Sequence, residues 1–216
     1  VGSIEGAFMP GVVETEVRPT ARSRSARLGK ALVGKRALIF APLFLAAIAL
    51  ALADPVRPAL AQTLAGGAVA VLAYALRLWA TGYRTWVRKS GAARYLMSAG
   101  PYASMRHPLY FANGLAGAGA LVALARYELL LVYLPLYLVV IGLVVVREEE
   151  ALAERFGAEH AGYRAAVPGF FPVPWRRYPY ASRRGEFSWQ PLRTQQELWK
   201  FAGVLALVAF FVYRVA

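Results

Sequence analysis

Five apolar blocks constrain this chain more than any other feature: Ala37–Ala53, Ala59–Ala80, Leu109–Ala125, Leu129–Val146 and Leu198–Ala216. Each is 17–22 residues long. At ~1.5 Å of rise per residue, helices of that length approach or exceed the ~30 Å hydrocarbon thickness of a bilayer. Helices at the surface of a soluble core keep one polar face, whereas these blocks are apolar nearly all round. Lys200 interrupts the last block near its start, where a long side chain can snorkel to the interface. The expected fold class is therefore all-α, a polytopic membrane protein of about five transmembrane helices.

The connections divide into short and long. Asp54–Pro58 and Arg126–Glu128 are tight turns, which imply antiparallel helical hairpins. The long polar segments are the N-terminal tail, Thr81–His107 and Arg147–Glu197. Seven Lys and Arg lie in residues 1–36, five in 81–107 and eight in 147–197. The two short turns and the C-terminal end hold Arg57, Arg126 and Arg214. By the positive-inside rule, the N-terminus and both long loops face the cytoplasm and the C-terminus faces out. Five crossings satisfy that orientation. The expected organisation is a tag remnant (Val1 to Phe8) and basic tail to residue 36, and a first hairpin over 37–80. A core over 81–175, with its hairpin at 108–146, is followed by a linker and last helix over 176–216.

The formal net charge of +13 has to be read together with the 58% of hydrophobic residues. A nucleic-acid binder needs a polar body beneath its basic face, so no nucleic-acid partner is expected. A membrane protein collects Lys and Arg in its cytoplasmic loops. The chain has no Cys, which excludes thiolate catalysis, Cys-ligated metals and disulfides. No metal site is expected.

Polar residues at membrane depth mark functional positions or reach for the headgroups. Arg77 and Asn113 are of this kind, and both readings stand for Arg77. The reactive side chains gather in the two long loops. In the first, Gly100-Pro101-Tyr102 is a turn signal, and Arg106-His107-Pro108 runs into the third apolar block. Pro108 suits the first turn of a helix, where its missing N–H costs nothing. Arg106 and His107 then sit at a helix N-terminus, a place of unpaired N–H donors suited to an anionic group. The second loop opens Arg147-Glu148-Glu149-Glu150 as a helical extension beyond the membrane, with Gly157 as a plausible end of that turn. Three carboxylates on a basic protein imply a cation opposite them, with Arg106 or a cationic ligand as candidates; a solvated charge run is the plainer alternative. Gly114-Leu115-Ala116-Gly117-Ala118-Gly119 has no strand before it and lies in an apolar helix, so it reads as close helix packing and not as a nucleotide loop.

Taken together, the two loops resemble a known family. Arg106-His107-Pro108-Leu109-Tyr110, followed by Gly119, is similar to the Arg-His-Pro-x-Tyr-(eight residues)-Gly pattern of the isoprenylcysteine carboxyl methyltransferases and their phospholipid methyltransferase relatives. Glu148-Glu149-Glu150-Ala151-Leu152 is similar to their Glu-Glu-x-x-Leu. Phe156-Gly157, Glu159, Tyr163 and Val167-Pro168 resemble the tail that follows. The likeness covers roughly residues 92–175. His160 departs from an aromatic Tyr of the pattern, and Arg94–Met97 departs from its start. Two apolar helices precede the motifs and one follows, behind a linker from Pro172 to Glu197 that the resemblance does not explain.

The resemblance implies a cofactor pocket on the cytoplasmic side holding S-adenosyl-L-methionine. Gly100, Tyr102, His107, Pro108, Tyr110 and Glu148 would line it. His107 and the helix N-terminus would meet the cofactor's carboxylate, and Glu148 or Glu149 its ammonium or a pocket Arg. Arg106 would orient the acceptor's anionic group. Glu149 or His107 would serve as general base where the acceptor is an amine; a carboxylate acceptor needs none. The implied activity is methyl transfer to a lipophilic acceptor in an integral membrane protein, expected in the plasma membrane of a prokaryote. An isoprenylcysteine, an ethanolamine phospholipid, an isoprenoid acid and a small amphiphile all fit. The first alternative is a membrane reductase whose NADPH phosphate would meet Arg84, Arg88 and Lys89. The second is a non-catalytic membrane scaffold.

Overall fold

The computed structural model describes residues 28, 31–32, 35–53, 58–84, 95–173, 178–179, 184–194 and 196–216. The basic tail to residue 27, most of the Asp54–Pro58 turn, and Arg88 and Lys89 lie outside the described residues.

Among the described residues the protein is all-helical. Helix α1 is Arg36–Ala53 and α2 is Leu60–Arg84. A single 3-10 turn, Gly100–Ala103, precedes α3 at Pro108–Ala123. Helix α4 runs Tyr127–Ala166, α5 is the short Gln190–Thr194, and α6 is Glu197–Val215. Helices α2, α4 and α6 are long and apolar enough to cross a membrane. The apolar part of α1, Leu38–Ala53, and the whole of α3 are shorter. Helix α3 stops at Ala123 because Ala125 takes a left-handed conformation (φ 53°) that turns the chain into α4. Its 16 residues rise only ~24 Å.

Helices α2 and α3 make the closest contact of the bundle, backbone against backbone. A Cβ on Gly66 would collide with the main chain of Ala123 and Gly119, and one on Gly119 with Ala70 N and Gly66 O. In a bilayer the hydrophobic effect does not join helices, so close van der Waals approach through small residues does. The last carbonyls of α3 also find partners on α2: Thr63 Oγ1 donates to Ala123 O (3.2 Å) and Gln62 Nε2 to Val122 O (3.0 Å). These are the groups a helix end leaves unsatisfied.

The other side of α3 packs on α4. Tyr133 OH donates to Asn113 O and Gly114 O at 3.3 Å, and Tyr137 OH donates to Tyr110 O at 2.6 Å. Those rings occupy the space beside Gly114 and Gly117 that side chains would fill. Phe40 and Phe44 of α1 close the cluster on Tyr133 and Tyr137.

Helix α4 is 40 residues long, ~60 Å, twice the hydrocarbon thickness. Its apolar first half crosses, and Glu148–Glu150 begin the half that projects beyond. Gly157 bends the helix at φ 48°, ψ −118°, and the helix then resumes to Ala166. The sequence reading ended the turn at Gly157; glycine here makes a kink, after which nine more residues continue the projection.

The C-terminal segment folds back over the first loop. Ser98 N and Ala99 N donate to Arg184 O, Tyr178 N donates to Ala103 O, and Ser188 N donates to Gly82 O. Phe187 packs edge-on against Tyr83. Helix α6 then lies along α2, with Val208 over Gly67 and Phe201 stacked on Tyr74.

Candidate functional site

Two chain segments meet where α3 begins and α4 leaves its apolar half. Pro108 is the first residue of α3 and His107 its N-cap. The preceding loop is tied to the far end of α4: Arg106 N donates to Pro168 O and His107 N to Gly169 O. This pairing delivers the Arg106 and His107 side chains to the Glu148–Glu149 turn.

Glu149 is the hub. Its Oε1 accepts from Arg106 Nε (2.9 Å) and from His107 Nε2 (2.7 Å). The second contact requires the proton on Nε2 of the His107 ring. Glu149 Oε2 lies 3.5 Å from His160 Nε2 and 3.8 Å from Arg164 Nε. Neither Glu149 Oε2 nor His160 Nε2 makes a hydrogen bond among the described residues. Burial would raise the Glu149 pKa, but the hydrogen bonds and charges of His107 and Arg106 outweigh it and hold the carboxyl at about 2. Burial pushes the His160 imidazole below its ordinary value, against the pull of Glu149.

Glu148 is one residue back and more open. Tyr110 OH donates to its Oε1 at 2.6 Å, and its Oε2 stands 3.8 Å from His107 Nδ1. Its side chain is 35% exposed, against 12% for Glu149. One carboxylate is thus the more shielded and doubly hydrogen-bonded on one oxygen, while its neighbour is the more accessible.

The sequence-derived candidates divide by location. Arg106, His107, Pro108, Tyr110, Glu148 and Glu149 come together in this cluster. Tyr102 lies in the adjoining 3-10 turn, and its carbonyl accepts from Tyr163 OH at 2.6 Å. Gly100 opens that turn at φ 59°, with the Tyr83 ring where a Cβ would go. Arg106 is committed to its own chain: besides Glu149, its Nη1 donates to Arg164 O (3.1 Å) and Val167 O (2.6 Å). The first-turn amides of Tyr110 and Phe111 donate to His107 O. The Phe111 bond is the first regular turn of α3 and the Tyr110 bond a tighter one beside it, so both start the helix from the His107 carbonyl.

Sequence reasoning missed His160 and Arg164 as neighbours of Glu149. The signal was their register: Glu149, His160 and Arg164 lie eleven and fifteen residues apart, about three and four helical turns, and only the bend at Gly157 brings the later turns back to the first.

An all-helical membrane protein with a polar, carboxylate-centred site at the end of one helical hairpin is the class these features define. Residues 60–159, the stretch carrying both the Arg106–Tyr110 and the Glu148–Leu152 motifs, match the phospholipid methyltransferase family model. The match begins at the first residue of α2 and ends beyond the Glu148–Glu149 turn. No curated protein and no solved structure matches the chain.

Proposed function

We propose that the protein transfers the methyl group of S-adenosyl-L-methionine to a lipophilic acceptor at the cytoplasmic face of the membrane. The observation that carries this reading is the closure of the two motifs on one another through Arg106–Glu149, His107–Glu149 and Tyr110–Glu148. The family match supports methyl transfer, and the apolar helices support a lipid acceptor.

The donor set suits the cofactor. Its ammonium needs an accessible carboxylate, and Glu148 offers one with Tyr110 holding one oxygen. Glu149 is a positioning group: through Arg106 and His107 it ties the start of α3 to α4, and so keeps Tyr110 and Glu148 together. Arg106 acts through Glu149 and through the carbonyls of Arg164 and Val167. Tyr102, Pro108 and Gly100 shape the adjoining wall.

The cofactor supplies an already activated methyl group when bound, so side chains need do little covalent chemistry. The chain must hold acceptor and donor in line and exclude water. Such alignment contributes up to ~7–11 kcal/mol of barrier reduction. A carboxylate acceptor then needs no base. For an amine acceptor, Glu148 is better placed than Glu149 to take the proton, because Glu149 is less accessible and its Oε1 already accepts two hydrogen bonds.

The test is transfer of labelled methyl from S-adenosyl-L-methionine into solvent-extractable lipid by membranes carrying the protein. Label in the lipid fraction that disappears with Glu148→Gln supports the reading. No label above membranes lacking the protein, with ethanolamine phospholipids and prenylated carboxylates both supplied, would overturn it.

A further inference from the structure

Glu197 is the first residue of α6, lies beyond the family match, and is 2% exposed. A carboxylate so buried needs partners. It has four donor contacts: Arg77 Nε at 3.0 Å, Arg77 Nη2 at 2.9 Å, Tyr74 OH at 3.2 Å and Lys200 Nζ at 3.0 Å. Arg77 is therefore committed to a partner within the protein. Its guanidinium forks onto Glu197, and its remaining terminal nitrogen, Nη1, donates to Asn113 Oδ1 at 2.7 Å.

Asn113 sits one turn along α3 from Tyr110, on the same face. Tyr110 is the residue that holds Glu148. Four links thus run without interruption from α6 to the site: Glu197 to Arg77, Arg77 to Asn113, Asn113 along one helical turn to Tyr110, and Tyr110 to Glu148. On its other side α3 is held by Tyr137, which donates to the Tyr110 carbonyl. The first turns of α3 are therefore clamped between α4 and an arginine whose direction is set by the C-terminal helix.

Burying an ion pair does little for stability on balance, because desolvation offsets attraction; a defined geometry is what such a pair can supply. We infer that Glu197 is a positioning residue for the site, aiming Arg77 at Asn113 so that α3 presents Tyr110 to Glu148. The C-terminal helix is then a working part of the enzyme and more than a membrane anchor. The effect on ligand binding rests on the cofactor reading above; the effect on α3 does not.

The test uses the full chain in detergent, with Glu197→Gln, Asn113→Ala and Asn113→Asp. Thr63→Ala, which cuts an α2–α3 bond at the opposite end of the pair, is the control. Hydrogen exchange is read over residues 107–113, and S-adenosylhomocysteine binding is read by calorimetry. Glu197→Gln and Asn113→Ala should each raise exchange in 107–113 and weaken binding about tenfold, while Asn113→Asp keeps an acceptor for Arg77 and stays within about twofold. Thr63→Ala should leave 107–113 unchanged. Unchanged exchange over 107–113 in both Glu197→Gln and Asn113→Ala would overturn the inference and leave Glu197 as a fastening for α6 alone. Should exchange respond while no chain binds the ligand, the positioning role stands and the cofactor reading falls. If Glu197→Gln fails to fold, Asn113→Ala decides, because it leaves the Arg77–Glu197 pair intact.

Discussion

Arg106 Nε donates to Glu149 Oε1 across 2.9 Å, joining residues 43 positions apart in the chain. The two side chains are 14% and 12% exposed, so the bond is made largely out of water. It links the loop before α3 to the projecting half of α4, and Arg106 Nη1 extends the link to Arg164 O and Val167 O. Removing one member of such a part-buried pair leaves the other poorly compensated.

Arg106→Ala should therefore destabilise the protein by about 1–3 kcal/mol, less than the loss for a fully buried pair because this one is part-buried. Arg106→Lys should recover only part of it, because one ammonium cannot reproduce the planar fork that serves Glu149 and two carbonyls together. Thermal unfolding in detergent measures both. Equal stability of the alanine variant and the unaltered chain would mean that the pair is solvated in solution.

The lowered Glu149 pKa fixes a pH dependence. A carboxyl held at about 2 when folded, against 4.5 for the ordinary group, is more acidic in the native state. Its contribution is fully present above the unfolded value. It should fall away as pH drops from about 4.5 through about 2. Glu149→Gln should be less stable at neutral pH and flatter across that acid range. Parallel acid-unfolding curves for the two chains would contradict the assignment.

The α2–α3 crossing offers a steric test. Gly66→Val places its Cβ against the Ala123 and Gly119 main chain, which cannot rotate away. The helices must separate, weakening the Thr63 and Gln62 bonds as well. A loss of roughly 1–3 kcal/mol or more is expected for such overpacking. Gly142→Val meets nothing within 4 Å and should be near neutral in the same unfolding assay.

Gly157 isolates backbone strain from packing. Nothing lies within 4 Å of a Cβ built there, yet its φ of 48° with ψ of −118° is hostile to side chains. Gly157→Ala should cost on the order of 1–3 kcal/mol. It should also straighten α4 and draw His160 and Arg164 away from Glu149. Hydrogen exchange over 157–166 would report the change; an unaltered pattern would mean that alanine tolerates the bend.

The five apolar helices and both motifs were legible in the sequence because each rests on local spacing. Length and hydropathy mark the helices, and Arg106 to Tyr110 spans barely one turn. Pairings over long separations were not legible. Arg77 and Glu197 are 120 residues apart, and nothing in either neighbourhood names the other. Arg77 at membrane depth read as a functional position or as a side chain reaching the headgroups, and Glu197 fell at the end of the polar linker. The segment after Pro172 has no periodicity to read, and its Arg184 and Tyr178 main chains bind the Ser98–Ala103 loop through backbone atoms that carry no sequence identity. The block Leu109–Ala125 is met by a helix of nearly the same length, Pro108–Ala123, and only its end differs, because the turn at Ala125 takes a positive φ that alanine does not advertise. Arg106 was legible as a cation opposite the glutamates; its commitment to Arg164 O and Val167 O depends on the bend at Gly157.

Calorimetric titration of S-adenosyl-L-methionine and S-adenosylhomocysteine into the purified chain, with NADPH as a control, tests the central claim most directly. The account predicts micromolar-range binding of the first two, loss of that binding in Glu148→Gln with the fold retained, and no heat from NADPH. Binding of NADPH alone, or undiminished binding by Glu148→Gln, would contradict it.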